Sequence, residues 1–517
     1  EPDVLKSLQY LPGVISGNEG TNNISVRGSD QWGNLVLLDE AMVYNPNHAL
    51  SFFSVFNNDA IQQVNLYKSY FPLMYGGRTS SVIDVRMREG NNQEKHRSAT
   101  IGVIASKLQL EGPIKRGKTS YLLSTRFAYP GAILGVLERF RGTKMNFYDI
   151  NAKINSTLND RNRFFFSIYN GGDHTYFNQL VRGYGMNWGN TTATFRWNHV
   201  LTDKTSGNLS AIFSNYYYRY KSMADGMKYL WKSNMQSYQL KYDVDYAFSN
   251  MLHIKSGLSG HTFTIMPGGI DNWGDLNNVV PYRMNRRRLL DIAAYGEISY
   301  EISPRWQFNG GIRLSTIYSP KVSTYKQKCY VMPEPRAELS YFPGKGDKLH
   351  VAFTQSSQSL HMLSNSSVGI PSDIWIPVNG RVKPAVMKQM AIGYKKNWAK
   401  GAYSFSMEAY YRKTNHIVDF VDNANIFLNN QIESQLGFGF SKAEFYFSKN
   451  VGQLTGWISY TLSRAQNKVA TFEDNEYPPV YDRPHSLKIF LNCEAGRRRR
   501  CAFAATFSYN SGMNLTL

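Results

Sequence analysis

The chain has 517 residues, with 58 Lys and Arg against 38 Asp and Glu, a formal net charge of +20, and a mean hydropathy of −0.41. No run of about 18 apolar residues is present, which excludes a transmembrane helix but not a membrane barrel, where only alternate residues face lipid. The basic residues are scattered through turns and strand-like segments without a helix-turn-helix, zinc-ligand or RNP pattern. That argues against nucleic acid as a partner and leaves anionic lipid headgroups as the milder explanation of the charge.

Residues 1–22 read as a short helix, with Leu5, Leu8 and Leu11 at helical spacing, and then a Gly-rich loop. Ile24–Gly28 (ISVRG) and Asn34–Glu40 (NLVLLDE) are apolar runs between turn residues, the pattern of buried strands. Asn57–Ile61 (NNDAI) opens with cap-forming residues. The strand VNLYKS follows. Tyr75-Gly76-Gly77-Arg78 then makes a sharp turn into the alternating strand SVIDVRM.

A polar linker, NNQEKHR, occupies 91–97. From Ser98 to the end, about nineteen strand-like segments follow one another. In YQLKYDVDYAF, Tyr238, Leu240, Tyr242, Val244, Tyr246 and Phe248 share one face, opposite Gln239, Lys241, Asp243 and Asp245. In FYDINAKIN, Tyr148, Ile150, Ala152 and Ile154 oppose Asp149, Asn151, Lys153 and Asn155. A soluble sandwich alternates in the same way, so the connections carry the decision. Short ones at 114–118, 159–160, 202–204, 249–251, 303–305, 343–348, 397–401, 448–453 and 495–499 alternate with long ones, among them 171–187, 221–233, 266–287 and 357–386. Short turns at one rim and long loops at the other are the habit of an outer-membrane barrel.

The order and spacing of V-R-G (Val26–Gly28), L-L-D-E (Leu37–Glu40), Asp59-Ala60-Ile61 and Tyr75–Arg78 running into Ser81–Val85 resemble the plug domain of TonB-dependent outer-membrane receptors. QSLHMLSN, GIPSDIWIPVNGRVKPAVMKQMAIGYKKN and YDRPHSLKIFLN resemble barrel segments of that family. The resemblance implies an all-β membrane protein, a large antiparallel transmembrane β-barrel with an N-terminal α+β plug inside its lumen. The plug is expected over 1–92 and the barrel over 98–517. Barrels of the family have 22 strands, so about three strands, and the short TonB-contacting box, are expected to lie outside this sequence.

The function implied is that of an outer-membrane receptor of a Gram-negative cell. It would bind a scarce extracellular ligand and import it into the periplasm with energy delivered by TonB–ExbB–ExbD. The alternative is a receptor or scaffold component of a surface assembly with little transport. A passive porin is disfavoured, since it needs no folded plug. Siderophore, corrinoid, glycan and peptide ligands all stay open, as does a surface lipoprotein partner. No G-x-S-x-G or H-E-x-x-H pattern occurs, and neither an enzyme, a cofactor nor a metal site is expected.

In the family, the loops after the first two plug strands point toward the ligand. Here they offer Gln31, Trp32, Tyr44, Asn45, Asn47, His48 and Phe52, aromatic faces with amide and imidazole groups that suit a ligand part polar and part apolar. Asn45-Pro46-Asn47 also reads as a plain turn. His361 and Trp375, with Asn365 and Arg381, make a second wall from the 357–386 loop. Asp271, Trp273, Asp275 and Tyr282 stand in the 266–287 loop. A buried Arg needs a carboxylate, and in the family plug Arg to barrel Glu pairs hold the plug; the resemblance makes Arg27 and Arg78 candidate plug–barrel latches, with Arg78 and Arg86 reading equally as rim charges. Asp243, Asp245, Glu297 and Glu408 are wall acids within the pattern, and His485, in YDRPH, reads as structural.

Three cysteines are present, Cys329, Cys493 and Cys501, without metal-ligand spacing. Folding the last hairpin about Arg497 sets Cys493 opposite Cys501, on the side of Leu487, Ile489, Leu491, Phe503 and Phe507. The pair is then expected within about 7 Å, the reach of a disulfide. Two unbridged lipid-facing hydrophobes are the alternative.

Overall fold

The computed structural model describes residues 3–16, 21–178, 183–224, 227–272, 281–322, 326–363, 374–420, 432–469, 476–495 and 501–512. The chain first builds a small inner body. Helix α1 (Val4–Gln9) is capped by the Asp3 carboxylate, which accepts the N–H groups of Leu5 and Lys6 at 2.9 and 3.2 Å. It buries Leu5 and Leu8. Strand β1 (Val14–Ser16) pairs antiparallel with β2 (Ile24–Val26). Then come β3 (Leu35–Leu38), β4 (Ala41–Met42), β5 (Asn47–His48), β6 (Phe53–Ser54), β7 (Ile61–Tyr67) and β8 (Val82–Met87). Four of them form the sheet β4-β3-β8-β7, with β3 and β8 parallel. Val26, Leu38, Phe56, Ile83 and Val85 close its core with Leu5.

Turn chemistry explains these short strands. L-L-D-E is a two-residue hairpin turn in which Asp39 (φ 47) and Glu40 (φ 75) are both left-handed, the backbone that matches strand twist. Asn57 caps the turn Asn58–Ala60 by accepting the Asp59 N–H at 3.2 Å.

Around this body, nineteen antiparallel strands among the described residues run from His96–Ile101 to Cys501–Asn510, with two-residue strands at Tyr282–Arg283 and Glu476–Tyr477. The first begins two residues before Ser98. Its alternation is inverted relative to a soluble protein. Asp149, Asn151 and Lys153 are buried while Ile150 and Ile154 are 41% and 43% exposed; Ser237 and Lys241 are buried while Tyr238 and Leu240 are each 58% exposed. Apolar out and polar in over successive strands is the pattern of a lipid-embedded barrel.

Two expected loops are largely strand. Asn162–Asn178 and Gly183–Thr202 run through most of 171–187, and Thr205–Ala224 and Met227–Ala247 through nearly all of 221–233. Strands of 20 and 21 residues are about twice what a bilayer requires. They stand beyond it because the ladder continues, for example Trp188 opposite Tyr218 and Asn190 opposite Tyr216. The glycines and asparagines that read as loop, such as Gly171, Gly172 and Asn187, sit in that ladder.

The last hairpin corrects the cysteine register. Ala495, not Cys493, lies opposite Cys501, and Cys493 faces Phe503. The register is therefore displaced by two residues from the expected pairing. Both cysteines are exposed and free, on adjacent strands and on the same face.

Candidate functional site

The plug is fixed to the wall at discrete points, and the strongest is built by V-R-G. Strand β2 ends with Arg27 (φ 56) and Gly28 (φ 61) both left-handed. This conformation costs a non-glycine residue about 1–2 kcal/mol. The turn delivers a buried guanidinium to the wall. Arg27 Nε and Nη2 each donate to Glu444 at 3.1 Å, Nη2 lies 2.7 Å from Glu408 Oε1, and Nη1 donates to Ser69 Oγ at 3.0 Å. Tyr410 lies beneath it, 4.6 Å to the ring centroid. Burial disfavours the charge, but Glu408 and Glu444 overcome that and raise the Arg27 pKa above its ordinary value. Glu408 was among the acids legible in sequence; Glu444 was not. Gly13 (φ 72) passes so close that a Cβ there would overlap Glu444 Oε1.

The L-L-D-E turn makes a second point. Asp39 meets Lys153 at 2.9 Å. Glu40 meets Arg196 at 3.0 Å, Lys241 at 3.1 Å and Arg86 at 3.2 Å. Burial pushes the Glu40 pKa up, yet Lys241, Arg86 and Arg196 together hold it far below the carboxylate range. A third kind of contact runs the other way, from wall arginines to plug carbonyls. Arg336 donates to Phe71, Pro72 and Tyr75 at 3.2, 3.0 and 2.8 Å; Arg412 donates to Val26 and Ser80 at 3.0 and 3.1 Å. Sequence reasoning sought plug arginines on wall acids and so missed these.

Arg78 departs from its expected role. It is buried, yet among the described residues it has no carboxylate partner. Its Nη1 donates to the Gly77 carbonyl at 3.3 Å, Nη2 approaches Met42 Sδ at 3.6 Å, and the guanidinium faces the Trp375 ring at 5.1 Å. Burial lowers its pKa to about 10. The turn at Gly76-Gly77 aims it toward the Trp375 ring of the wall.

The other apex candidates divide. His48 lies between two wall carboxylates, with Nδ1 at 2.5 Å from Asp173 and Nε2 at 2.7 Å from Asp149, and stacks on Phe147 at 4.5 Å. Burial alone would lower its pKa; Asp149 and Asp173 raise it to about 9. The next three residues, Ala49, Leu50 and Ser51, are all left-handed (φ 47, 56 and 73), held in part by Asp173, which accepts the Ala49 N–H at 2.7 Å. Asn190 donates to the Asn45 carbonyl at 2.7 Å and Trp188 Nε1 to the Asn47 carbonyl at 3.1 Å. The Asn45 and Asn47 backbones and the His48 imidazole are thus engaged with the wall. Phe52 is 49% exposed and stands outside the apex cluster.

Trp32, Tyr44, Trp375, His361 and partly exposed Gln31 remain at the apex. Leu360–Leu363 and Ile374–Pro377 pair as a hairpin, and Trp375 from it meets Trp32 at 5.8 Å and Tyr44 at 6.0 Å, edge to face. Met186, Trp188, Tyr216, Tyr218 and Trp231 continue this aromatic and thioether cluster along the wall. Tyr44 donates to Ser237 Oγ at 2.7 Å, and burial raises its pKa to about 12. His361 Nε2 bonds the Lys383 carbonyl at 3.1 Å. Asp271 is paired with Lys232 and Arg283 at 2.9 and 3.2 Å. Trp273, Asp275 and Asn365 lie outside the described residues, as does the Tyr282 side chain.

Residues 2–82 match the TonB-dependent receptor plug domain and residues 132–490 the TonB-dependent receptor-like β-barrel. No curated protein matches the chain. Among solved structures, the alcaligin outer-membrane receptor FauA from Bordetella pertussis is 14% identical, with a TM-score of 0.70 over 99% of this chain and 85% of that one. The copper transporter OprC is 11% identical, with a TM-score of 0.73 over 96% and 82%. FpvA from P. aeruginosa, in a pyoverdine–iron complex, is 11% identical, with a TM-score of 0.72 over 98% and 76%. At such identities these neighbours speak for the fold alone. The two family matches, with the barrel match spanning more than half of the sequence, show that the chain belongs to the TonB-dependent receptor family.

Proposed function

We propose that this chain is an outer-membrane receptor that takes up a scarce extracellular ligand, with TonB–ExbB–ExbD supplying the energy to move the plug. The observation that carries the reading is the seating of the plug inside the barrel. It is held by buried ion pairs at Arg27, Asp39, Glu40 and His48 and by wall arginines on its carbonyls. A lumen closed by so many contacts does not open by thermal fluctuation at a useful rate, so passage requires work done on the plug. The lipid-facing alternation of the strands supports an outer-membrane location, with the short turns on the periplasmic side. Aromatic and apolar surface at the apex, interspersed with amide groups and Arg78, supports a ligand part polar and part apolar. The neighbours whose names speak of alcaligin, copper and pyoverdine–iron support a metal or metal chelate as the first ligands to try.

The test is growth on limiting nutrients, comparing cells with and without this receptor in backgrounds with and without TonB. The expected result is an advantage on at least one nutrient that vanishes without TonB. An advantage that persists without TonB contradicts the reading.

A further inference from the structure

Several buried cations have no carboxylate partner among the described residues, and Arg78, 5% exposed, is the most weakly compensated of them. Arg412, Arg313 and Lys488 are each covered by two or more carbonyl, hydroxyl or amide oxygens, whereas Arg78 has only the Gly77 carbonyl at 3.3 Å and Met42 Sδ at 3.6 Å. An uncompensated buried charge is costly, and its retention calls for an explanation beyond packing. Two further donors lie beside it. The indole N–H groups of Trp32 and Trp375 are buried and have no hydrogen-bond partner, which is itself costly. Arg78, Trp32 and Trp375 line one cavity between the plug apex and the inward hairpin, whose rim includes Gln31 and Tyr44. Arg78 and Met42 also line a second cavity, where the acids Glu40 and Asp291 stand with Lys241, His261 and Arg313. Arg78 therefore borders both cavities.

We propose that Arg78, with the free indole N–H groups of Trp32 and Trp375, is the receiving site for an anionic group of the ligand, a carboxylate or a phosphate. The guanidinium supplies charge and two or more donors, the indoles supply neutral donors, and the surrounding rings exclude water, so each bond to the anion is stronger than in solvent. The guanidinium and the two indoles are donors only, which favours an acceptor at that corner of the cavity; the Asn22 and Asn47 carboxamide oxygens, also buried without a partner, line the same cavity. The net charge of +20 adds a favourable field for such a ligand. This inference rests on the receptor reading above and narrows it to ligands that carry at least one anionic group.

The test uses the full chain in detergent, with citrate and inorganic phosphate as probes, and glucose and sodium chloride of matched ionic strength as controls. Binding is read by tryptophan fluorescence and by Tm. The expected result is saturable binding of at least one anion with a rise in Tm and no response to the controls. Arg78→Gln should weaken that binding about tenfold or more, the loss of a charge-assisted bond, and should not lower the Tm of the anion-free protein. Trp375→Phe, which keeps the ring and loses the N–H, should weaken binding severalfold and serves if Arg78→Gln does not fold. No saturable binding of either anion, or equal binding by both variants, overturns the site. A marked fall in anion-free Tm of Arg78→Gln assigns the arginine to packing and also overturns it. Anion binding in a protein that confers no TonB-dependent growth leaves the site standing and removes the import reading; TonB-dependent growth without anion binding does the reverse.

Discussion

Arg27→Met removes the guanidinium while keeping an unbranched side chain of similar reach. It leaves Glu444 and Glu408 facing each other with one cation fewer; Glu444 is almost wholly buried and Glu408 only 17% exposed. Breaking one partner of a buried pair typically costs about 3–5 kcal/mol. Lys68 stays 2.9 Å from Glu444 and compensates part of the charge, which places the expected cost near the lower end, about 3 kcal/mol. That is roughly a hundredfold shift in the ratio of seated to released plug. The assay is urea-induced release of the plug, followed by protease cleavage within residues 1–90, with barrel integrity followed separately by circular dichroism. Arg27→Met should lower the midpoint of plug release and leave the barrel transition unchanged. Arg27→Met with Glu444→Gln should recover part of the loss, because it removes one stranded carboxylate. An unchanged midpoint in the single variant refutes the claim that this pair holds the plug.

Three further outcomes are expected. The folded pKa of His48, about 9, lies above its ordinary 6.5, so its contribution to seating is full below about pH 6.5 and is lost as pH rises through 9; protease sensitivity of the plug should increase over that window, and His48→Gln should flatten the profile. Gly13→Ala should destabilise the plug, because the residue is left-handed and a Cβ would overlap Glu444; a midpoint equal to wild type counts against the described approach. A Cys replacing Val136, which is 83% exposed in a long connection, should react with a membrane-impermeant maleimide on intact cells, whereas one replacing Asp160 in a short turn should not; the opposite pattern reverses the topology.

The strands were legible because they carry a two-residue period in membrane and water alike, and because turns such as Asn159–Arg161 and Thr202–Lys204 are too short to be anything but tight hairpins. The plug was legible as an ordered set of turn motifs. What escaped was pairing across distance. His48 reads as a free imidazole until Asp149 and Asp173, both more than 100 residues away, are brought to its two nitrogens. Alternation had already put Asp149 on the wet face, but nothing local says which plug group meets it. Arg78 shows the converse: the sequence supplies a cation on a buried strand approach, and only the fold reveals that among the described residues no acid pairs with it. Glu444 sits in an aromatic-rich strand, AEFYFS, where parity alone would have marked it as lumenal. The 171–187 and 221–233 segments misled because Gly and Asn signal turns locally, while a long antiparallel partner satisfies their backbone as strand.

The central claim is that the native plug closes the lumen and that its release opens it, and conductance of single receptors in a planar lipid bilayer measures this directly. The intact chain should be electrically silent, should conduct when urea applied from the short-turn side releases the plug, and should fall silent again when the urea is removed. A steady ion current through the native chain, in the absence of denaturant, would contradict the account.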